Sequence, residues 1–441
     1  MSFFERLFGS RPVPAPDIPF GRYTDAFKTS AQLSAWNRSL ELFDQGNHLQ
    51  AYQEFFSYLR DDKADNVKWR TEGNTMFFEF WQGSQRVTGL ATADKVKAES
   101  KVARAVDLNV GFLRRLMEYN YSLKFCRFAL DPDNNLILRF DTPGTDASPL
   151  KLLHALRELA IHADKHDDLL LDEFTTALSP AEQRTEADIP AAEKEVKYAY
   201  LRRQIESAFA LLDQAKPDPN QYPGGYAYLL LAMAFRLDYL LRPEGFIMDV
   251  LEKVYGIYFT KDERSNQLKI IALRKEFQKI LDRPKEQIFQ ELYRTRSTFG
   301  INTPANHERI VSLIDGELPN MEWHLNQNHL ELALAVPQYI VGNAMFQNVP
   351  PKPDQELLHL FFQITETDFF RELGFPVYTT ADGLPDKRLV NQAVRAIADR
   401  NKTEYPRLRP DVQRLNFASM PLFAKSYLDM IRSLDLTKSE A

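Results

Sequence analysis

Two histidines with helical spacing form the most recognisable metal-binding pattern in the sequence. His162 and His166 occupy positions i and i+4 within HADKHDD, so a helix would place both imidazoles on one face. The aspartates in this stretch could add oxygen ligands. The glutamate of an HExxH pattern is absent. We interpret the stretch as the polar face and end of an amphipathic helix, and we predict no metal site.

A second group of polar side chains lies in the stretch MEWHLNQNH, with Glu322, Trp323, His324 and His329. A histidine near a carboxylate could serve acid–base chemistry, because its pKa lies near neutrality. No nucleophile or third member accompanies it. A hydrogen-bonded structural loop is the favoured interpretation. An enzymatic or small-ligand site at these four residues stays open as an alternative.

Other catalytic signatures are absent from the sequence. Neither of the glycine-rich phosphate loops, GxGxxG and GxxxxGK[ST], occurs, and no GxSxG elbow occurs. Cys126 is the single cysteine, so neither an internal disulfide nor a cysteine-based zinc site can form. Its place between Phe125 and Phe128 in a predicted strand indicates packing. We therefore predict a non-enzymatic protein without a cofactor.

Composition and charge limit the classes of partner that the chain is expected to bind. The chain has 441 residues, of which 44% are hydrophobic and 26% charged, and this length predicts two or three domains. The net charge of -6 and the lack of a dense Lys/Arg run argue against nucleic acid. Arg236 and Asp238 interrupt the longest apolar stretch, so no membrane span is predicted. Glu5 and Arg6 interrupt the apolar N-terminus, which predicts no signal peptide and hence a cytoplasmic location.

Punctuation by proline, glycine and polar residues divides the chain into four parts. An apolar segment with a Pro-rich linker covers 1–20, an α+β domain covers 21–175, a helical region covers 190–300, and a mostly helical domain covers 301–441. Residues 175–190 are interpreted as a linker.

The order of elements in the second part predicts the fold class. Ser30–Leu59 has the periodicity of a helical hairpin, and three strand-like segments follow, separated by Gly73-Asn74 and Gly83-Ser84. A helix from Val110, two strands joined by a turn at Asp131–Asn135, and a closing helix from Pro149 complete the order. The prediction is an antiparallel α+β domain followed by a predominantly helical portion.

This order and the string LMEYNYSLKFCRFALDPDNNLILRFDTP resemble the type III secretion chaperone-like fold, and within it the YbjN-type family. The matching features are Asn120 near the end of the second helix, the turn at Asp131–Asn135, and Asp141 closing the hairpin. The resemblance covers about residues 30–175. It implies a small α+β domain, often dimeric, that binds protein segments rather than catalysing a reaction.

Aromatic side chains are the remaining pointer to function. The strand Met76–Trp81 is apolar on both faces, which predicts that a helix of the chain or a partner covers its second face. The predicted partner-binding residues are Phe3, Phe4, Leu7, Phe8, Phe78, Phe80 and Trp81. The leading hypothesis is a chaperone-like or regulatory protein-binding module. A structural subunit of a larger assembly and a homodimer remain open.

Overall fold

The structure is a computed structural model that describes residues 16–181, 187–214, 216–346 and 348–439. The predicted N-terminal docking residues lie outside these ranges: Phe3, Phe4, Leu7 and Phe8. The predicted α+β class is confirmed, because an antiparallel sheet precedes a mostly helical portion. Within the described ranges, no helix is long and apolar enough to cross a membrane.

A helical pair precedes the sheet, as predicted. Helix α1 (Ser30–Asp44) begins with a reciprocal cap, in which the Thr29 side chain accepts from the Gln32 amide and the Gln32 side chain accepts from the Thr29 amide. Gly46, with a φ of 77°, lies in the turn that leads to α2 (His48–Leu59). Helix α2 then buries its aromatic face against the sheet.

The sheet has seven strands, two more than the sequence predicted. Its spatial order is β1-β2-β3-β4-β6-β5, with β7 pairing on β4, and all pairs are antiparallel. The strands are β1 (Val67–Glu72), β2 (Thr75–Gln82), β3 (Gln85–Ala91), β4 (Lys95–Ala105), β5 (Arg127–Leu130), β6 (Asn135–Pro143) and β7 (Leu178–Pro180).

The predicted turns have the expected chemistry. Gly73 and Gly83 adopt φ values of 57° and 56°, which joins β1 to β2 and β2 to β3. Asn134 adopts a φ of 61° between β5 and β6. Asp131 stabilises this turn, because its carboxylate accepts from the Asn135 amide at 2.7 Å.

The segment predicted as a linker contributes to the sheet. Strand β7 lies within residues 175–190 and pairs with the end of β4. The short strand β8 (Ala187–Asp188) pairs with β9 (Tyr293–Arg294) farther along the chain. The interpretation of 175–190 as a linker is therefore wrong for the parts that form strands.

Two helices bracket the last strands of the sheet. Helix α3 (Val110–Ser122) precedes β5, and helix α4 (Pro149–Glu173) follows β6. The Ser148 side chain caps α4 by accepting from the Lys151 amide. Helix α4 is 25 residues long and ends at Glu173.

The helical portion has one hydrophobic core that extends from Ile189 to Leu434. The predicted parts 190–300 and 301–441 both contribute to it, so we describe them together. Their helices are α5 (Ala191–Gln214), α6 (Pro223–Leu241), α7 (Gly245–Phe259), α8 (Asn266–Asp282), α9 (Lys285–Gln290), α10 (His307–Asn326), α11 (Leu330–Phe346), α12 (Lys352–Thr365), α13 (Thr367–Glu372), α14 (Lys387–Asn401) and α15 (Met420–Arg432). Two short strands, β10 (Thr303–Pro304) and β11 (Asn348–Val349), pair in parallel.

Two helices contain a proline in their interior, where proline usually interrupts a helix. Helix α11 continues through Pro337, and helix α10 continues through Pro319. Tertiary packing along both helices outweighs the local cost of each proline.

Hydrogen bonds between distant residues fix two segments: the first described residues and the segment after β9. The Arg22 guanidinium, near the start of the described chain, donates to Asp238 in α6 and to Glu252 in α7. The segment after β9 returns to the sheet, where the Thr298 hydroxyl donates to the Trp81 carbonyl at 2.8 Å. Phe299 joins the hydrophobic core of the sheet.

Candidate functional site

The aromatic residues of β2 that were predicted to bind a partner are buried within the chain. Phe78 packs on Phe56 of α2 with ring centroids 4.4 Å apart, and Phe80 meets Phe299 edge-to-face at 5.8 Å. Trp81 lies under the Arg296 guanidinium, 4.1 Å from its ring centroid. Their side chains are therefore not accessible to a partner in this structure. The prediction that Phe78, Phe80 and Trp81 form a docking surface is wrong.

The prediction for the second face of β2 was a cover by a helix of the chain or by a partner. Helix α2 covers the face that carries Phe78. On the opposite face, Phe77 lies under the Arg70 side chain and stays partly exposed. Basic side chains stacked on aromatic rings replace the expected helix, which explains how an apolar strand tolerates a partly wet face.

The four residues of the alternative ligand site do not form a catalytic arrangement. Glu322, Trp323 and His324 lie in helix α10 rather than in the predicted loop. Glu322 pairs with Lys425 at 2.7 Å and does not orient a histidine. His324 and His329 pack against each other with ring centroids 5.9 Å apart, and burial lowers the pKa of His324. The ring of His324 also packs edge-to-face on Trp323, which is about half exposed, so these residues form a group of aromatic contacts.

The histidines of α4 are packing residues as well. His166 is buried in the middle of the helix, not on a polar end, and its ring contacts Tyr119 at 4.3 Å and Phe128 at 5.6 Å. Burial lowers the pKa of His166 to about 4, so the ring is neutral near pH 7. Among the described residues, no group of three or more potential ligands could hold a metal ion. Burial also raises the pKa of the Cys126 thiol, as expected for a packing residue.

Helix α3 carries a row of exposed apolar side chains. Val110, Leu113, Met117 and Tyr121 recur at helical spacing, and we refer to these four residues as the α3 stripe. Their exposed fractions are 82%, 42%, 73% and 94%. At about 100° per residue, they fall within roughly 80° of the helix circumference. The stripe is therefore one continuous outward face.

The opposite face of α3 is fixed to the sheet. Phe112 is fully buried and meets Phe174 edge-to-face at 5.1 Å. Asn120 makes two hydrogen bonds with the backbone of Phe128: its carbonyl accepts from the amide and its side-chain amide donates to the carbonyl. These contacts explain the position of Asn120 in the sequence pattern. They hold α3 so that its stripe points away from the core.

The charges beside the α3 stripe are mutually paired. Arg114 lies 3.5 Å from Glu118, and Arg115 lies 3.2 Å from the same carboxylate. Arg115 also reaches Glu173 of α4 at 3.5 Å. These exposed pairs add little stability, but they leave the rim of the stripe close to electrical neutrality. The stripe is therefore an apolar surface with a nearly neutral rim.

The sequence held a signal for this surface. Between Val110 and Tyr121, apolar residues occupy two faces of one helix. Such a helix is either buried on both faces or packed on one face with the other exposed. Which face packs on the sheet depends on Phe128 and Phe174, which are distant in sequence. The stripe could therefore not be assigned from the sequence.

The chain matches no protein-family model and no curated protein. The resemblance to the type III secretion chaperone-like fold thus remains a prediction from the residues of about 30–175.

Proposed function

We propose that the chain is a non-enzymatic, cytoplasmic protein-binding module, chaperone-like or regulatory, whose partner docks on the α3 stripe. The observation that carries the proposal is the row of four exposed apolar side chains on a helix whose other face is anchored. Contiguous exposed apolar surface is costly in water and marks interaction sites in soluble proteins.

The favoured occupant is an amphipathic helical segment of a partner protein. The stripe spans three helical turns, about 17 Å, which suits a partner helix with anchors at i, i+3 or i+4, and i+7. The paired charges of Arg114 and Glu118 form a polar rim around an apolar centre, as in many protein interfaces. A second copy of this chain is the competing occupant, because it would present the same stripe.

The stripe can be tested by crosslinking in the native cell. A photoreactive phenylalanine analogue in place of Tyr121 is expected to crosslink the full-length chain to a defined partner protein. The substitutions Val110→Glu and Met117→Glu together should reduce that adduct at least about tenfold, because two charges would be buried unpaired at the interface. Their effect on folding stability should stay within about 0.5 kcal/mol per site, since both side chains are exposed.

A matched control comes from helix α8, where Leu268 and Ile271 are also exposed apolar residues. The pair Leu268→Glu and Ile271→Glu should leave the adduct unchanged. Persistence of the adduct in the α3 variant, or equal loss in the α8 variant, would contradict the proposal. An adduct formed with a second copy alone would replace the partner helix by a homodimer.

A further inference from the structure

A basic cleft lies between the first described residues, the start of α5, the end of α6 and the segment that contains β9. Its volume is about 450 Å³, within the range of small-molecule sites. Among its lining residues, six are cationic and one, Glu193, is anionic. The cations are Arg22, Lys63, Lys197, Arg242, Arg294 and Arg296. This concentration of positive charge contrasts with the net charge of -6 of the whole chain.

Ion pairs account for some of these cations but not for all. Arg22 is bound by Asp238 and Glu252, and the Lys197 ammonium lies 2.9 Å from Glu193. Arg242, by contrast, makes no side-chain hydrogen bond or salt bridge with a residue in the described ranges.

Arg294 and Lys63 add to the excess positive charge. Arg294 reaches Glu193 at only 3.9 Å, and Lys197 already occupies that carboxylate. Lys63 is exposed at the rim, where its side chain forms no salt bridge within the described ranges. The residues that line the cleft thus carry more positive than negative charge.

Three of the cations that line the cleft repel one another. Burial lowers the pKa of Lys197, and although Glu193 opposes this, Arg242 and Arg294 reinforce it. Burial likewise lowers the pKa of Arg242, with Arg294 acting in the same direction and Glu244 and Asp238 opposing. The folded chain therefore holds Lys197, Arg242 and Arg294 together against their mutual repulsion.

The backbone at Arg242 adds a second cost. Arg242 ends helix α6 in the left-handed region, with φ 48° and ψ 58°, and its amide donates to the Asp238 carbonyl. Glycine or asparagine usually occupies such a position, because other residues are strained there. A strained backbone that places an unpaired guanidinium in a cleft is typical of a functional position.

We propose that the basic cleft binds a small anion carrying at least two phosphate groups, contacted by Lys197, Arg242 and Arg294. Guanidinium groups match phosphate oxygens with two parallel hydrogen bonds, and an anion would relieve the repulsion among the three cations. The volume exceeds what a single phosphate fills. This site lies apart from the α3 stripe and does not depend on the protein-binding proposal.

Isothermal titration of the full-length chain with inorganic pyrophosphate and with ADP tests the site. At low ionic strength both are expected to bind with micromolar affinity, and binding should weaken as salt is added. ADP binding at least about tenfold tighter than pyrophosphate would assign a nucleoside phosphate. Equal affinities would assign recognition of the phosphate groups alone.

The variant Arg242→Asn separates a ligand contact from a structural role. Asparagine tolerates the left-handed backbone and removes the unpaired charge, so the ligand-free variant should melt at the same temperature as the wild type or higher. Its affinity for pyrophosphate should fall at least about tenfold. Arg409→Asn, which changes an exposed loop arginine, should bind as the wild type does.

Three results would overturn the proposal. The first is that neither pyrophosphate nor ADP binds at about 1 mM. The second is that Arg242→Asn binds pyrophosphate as tightly as the wild type does. The third is a clear drop in the melting temperature of ligand-free Arg242→Asn, which would show that Arg242 stabilises the fold.

Discussion

An Arg22→Met variant is expected to unfold with about 3–5 kcal/mol less free energy than the wild-type chain. Arg22 donates from Nε to Asp238 at 2.9 Å and from Nη1 to Glu252 at 3.1 Å. Asp238 is 2% exposed and loses its hydrogen-bond donors when the guanidinium is removed. Glu252 keeps Lys165 at 2.9 Å, so the main cost is the unpaired Asp238.

The electrostatics of this pair support a large effect. Burial disfavours the charge of Arg22, yet the pKa of Arg22 is raised because Asp238 and Glu252 outweigh burial. Burial raises the pKa of Asp238, and Arg22 opposes that shift. A carboxylate that is already costly to bury becomes more costly once its partner is gone.

Equilibrium urea unfolding of full-length variants measures the effect. Arg38→Met, which breaks an exposed pair with Glu54, should cost at most about 1 kcal/mol and is the matched control. The double variant Arg22→Met, Asp238→Asn should recover most of the loss, because it removes the orphaned charge. An Arg22→Met variant within about 1 kcal/mol of the wild type would show that the pair contributes little.

A Glu244→Gln variant is expected to become more stable than the wild type as the pH rises from about 5 to about 8. Burial raises the pKa of Glu244 to about 7, with Asp168 and Asp238 reinforcing the shift and Arg242 and Arg22 opposing it. The folded state therefore holds the proton more tightly than the unfolded chain, whose carboxyl titrates near 4.5. Stability is lost as the pH rises between these two values.

The variant removes this loss because glutamine resembles the protonated acid. Its advantage should be close to zero near pH 4 and grow to at most about 3.5 kcal/mol above pH 7, since the two pKa values differ by about 2.5 units and one pKa unit corresponds to about 1.4 kcal/mol. The neighbouring Asp164 has a pKa raised by burial, with Glu244 adding to the shift. Removing the charge of Glu244 thus also eases the ionisation of Asp164.

The measurement is the difference in unfolding free energy between variant and wild type at each pH. Burial lowers the pKa values of His166 and His359 to about 4, so both residues make the folded chain more stable as the pH rises. Both occur in both proteins, so they cancel in the difference. The exposed Glu263→Gln control should follow the wild type throughout. A variant that loses relative stability as the pH rises would contradict the prediction and show that Arg242 and Arg22 outweigh burial at Glu244.

Local chemistry made much of the sheet predictable. Gly73, Gly83 and the Asp131–Asn135 turn specify backbone conformations that few other residues adopt, and the structure has hairpins there. The strand Lys95–Ala105 was missed because alanine, serine and lysine favour other structures in local propensity. Its inward residues nevertheless alternate with charged ones, and pairing with β3 and β6 decides the outcome.

The functional surfaces were less predictable because they depend on contacts between distant residues. The sequence marked Phe78 and Trp81 as candidate contacts, but Phe56 and Arg296 cover them. The three cations of the basic cleft, Lys197, Arg242 and Arg294, come from three separate elements. No local sequence pattern predicts that they interact. Composition alone indicated an acidic chain, so the basic cleft could not be inferred from it.

The hydrogen bonds between the sheet and the segment after β9 also govern the order in which the chain can fold during synthesis. The Gln82 side chain donates to the Phe299 carbonyl, 217 positions later. At about 5–20 residues per second, a ribosome needs about 10–40 s to make that intervening stretch. During this interval the nascent sheet leaves Phe80 without its edge-to-face contact. The end of the sheet at Gln82 is therefore completed only after helices α5–α9 of the helical portion have been synthesised.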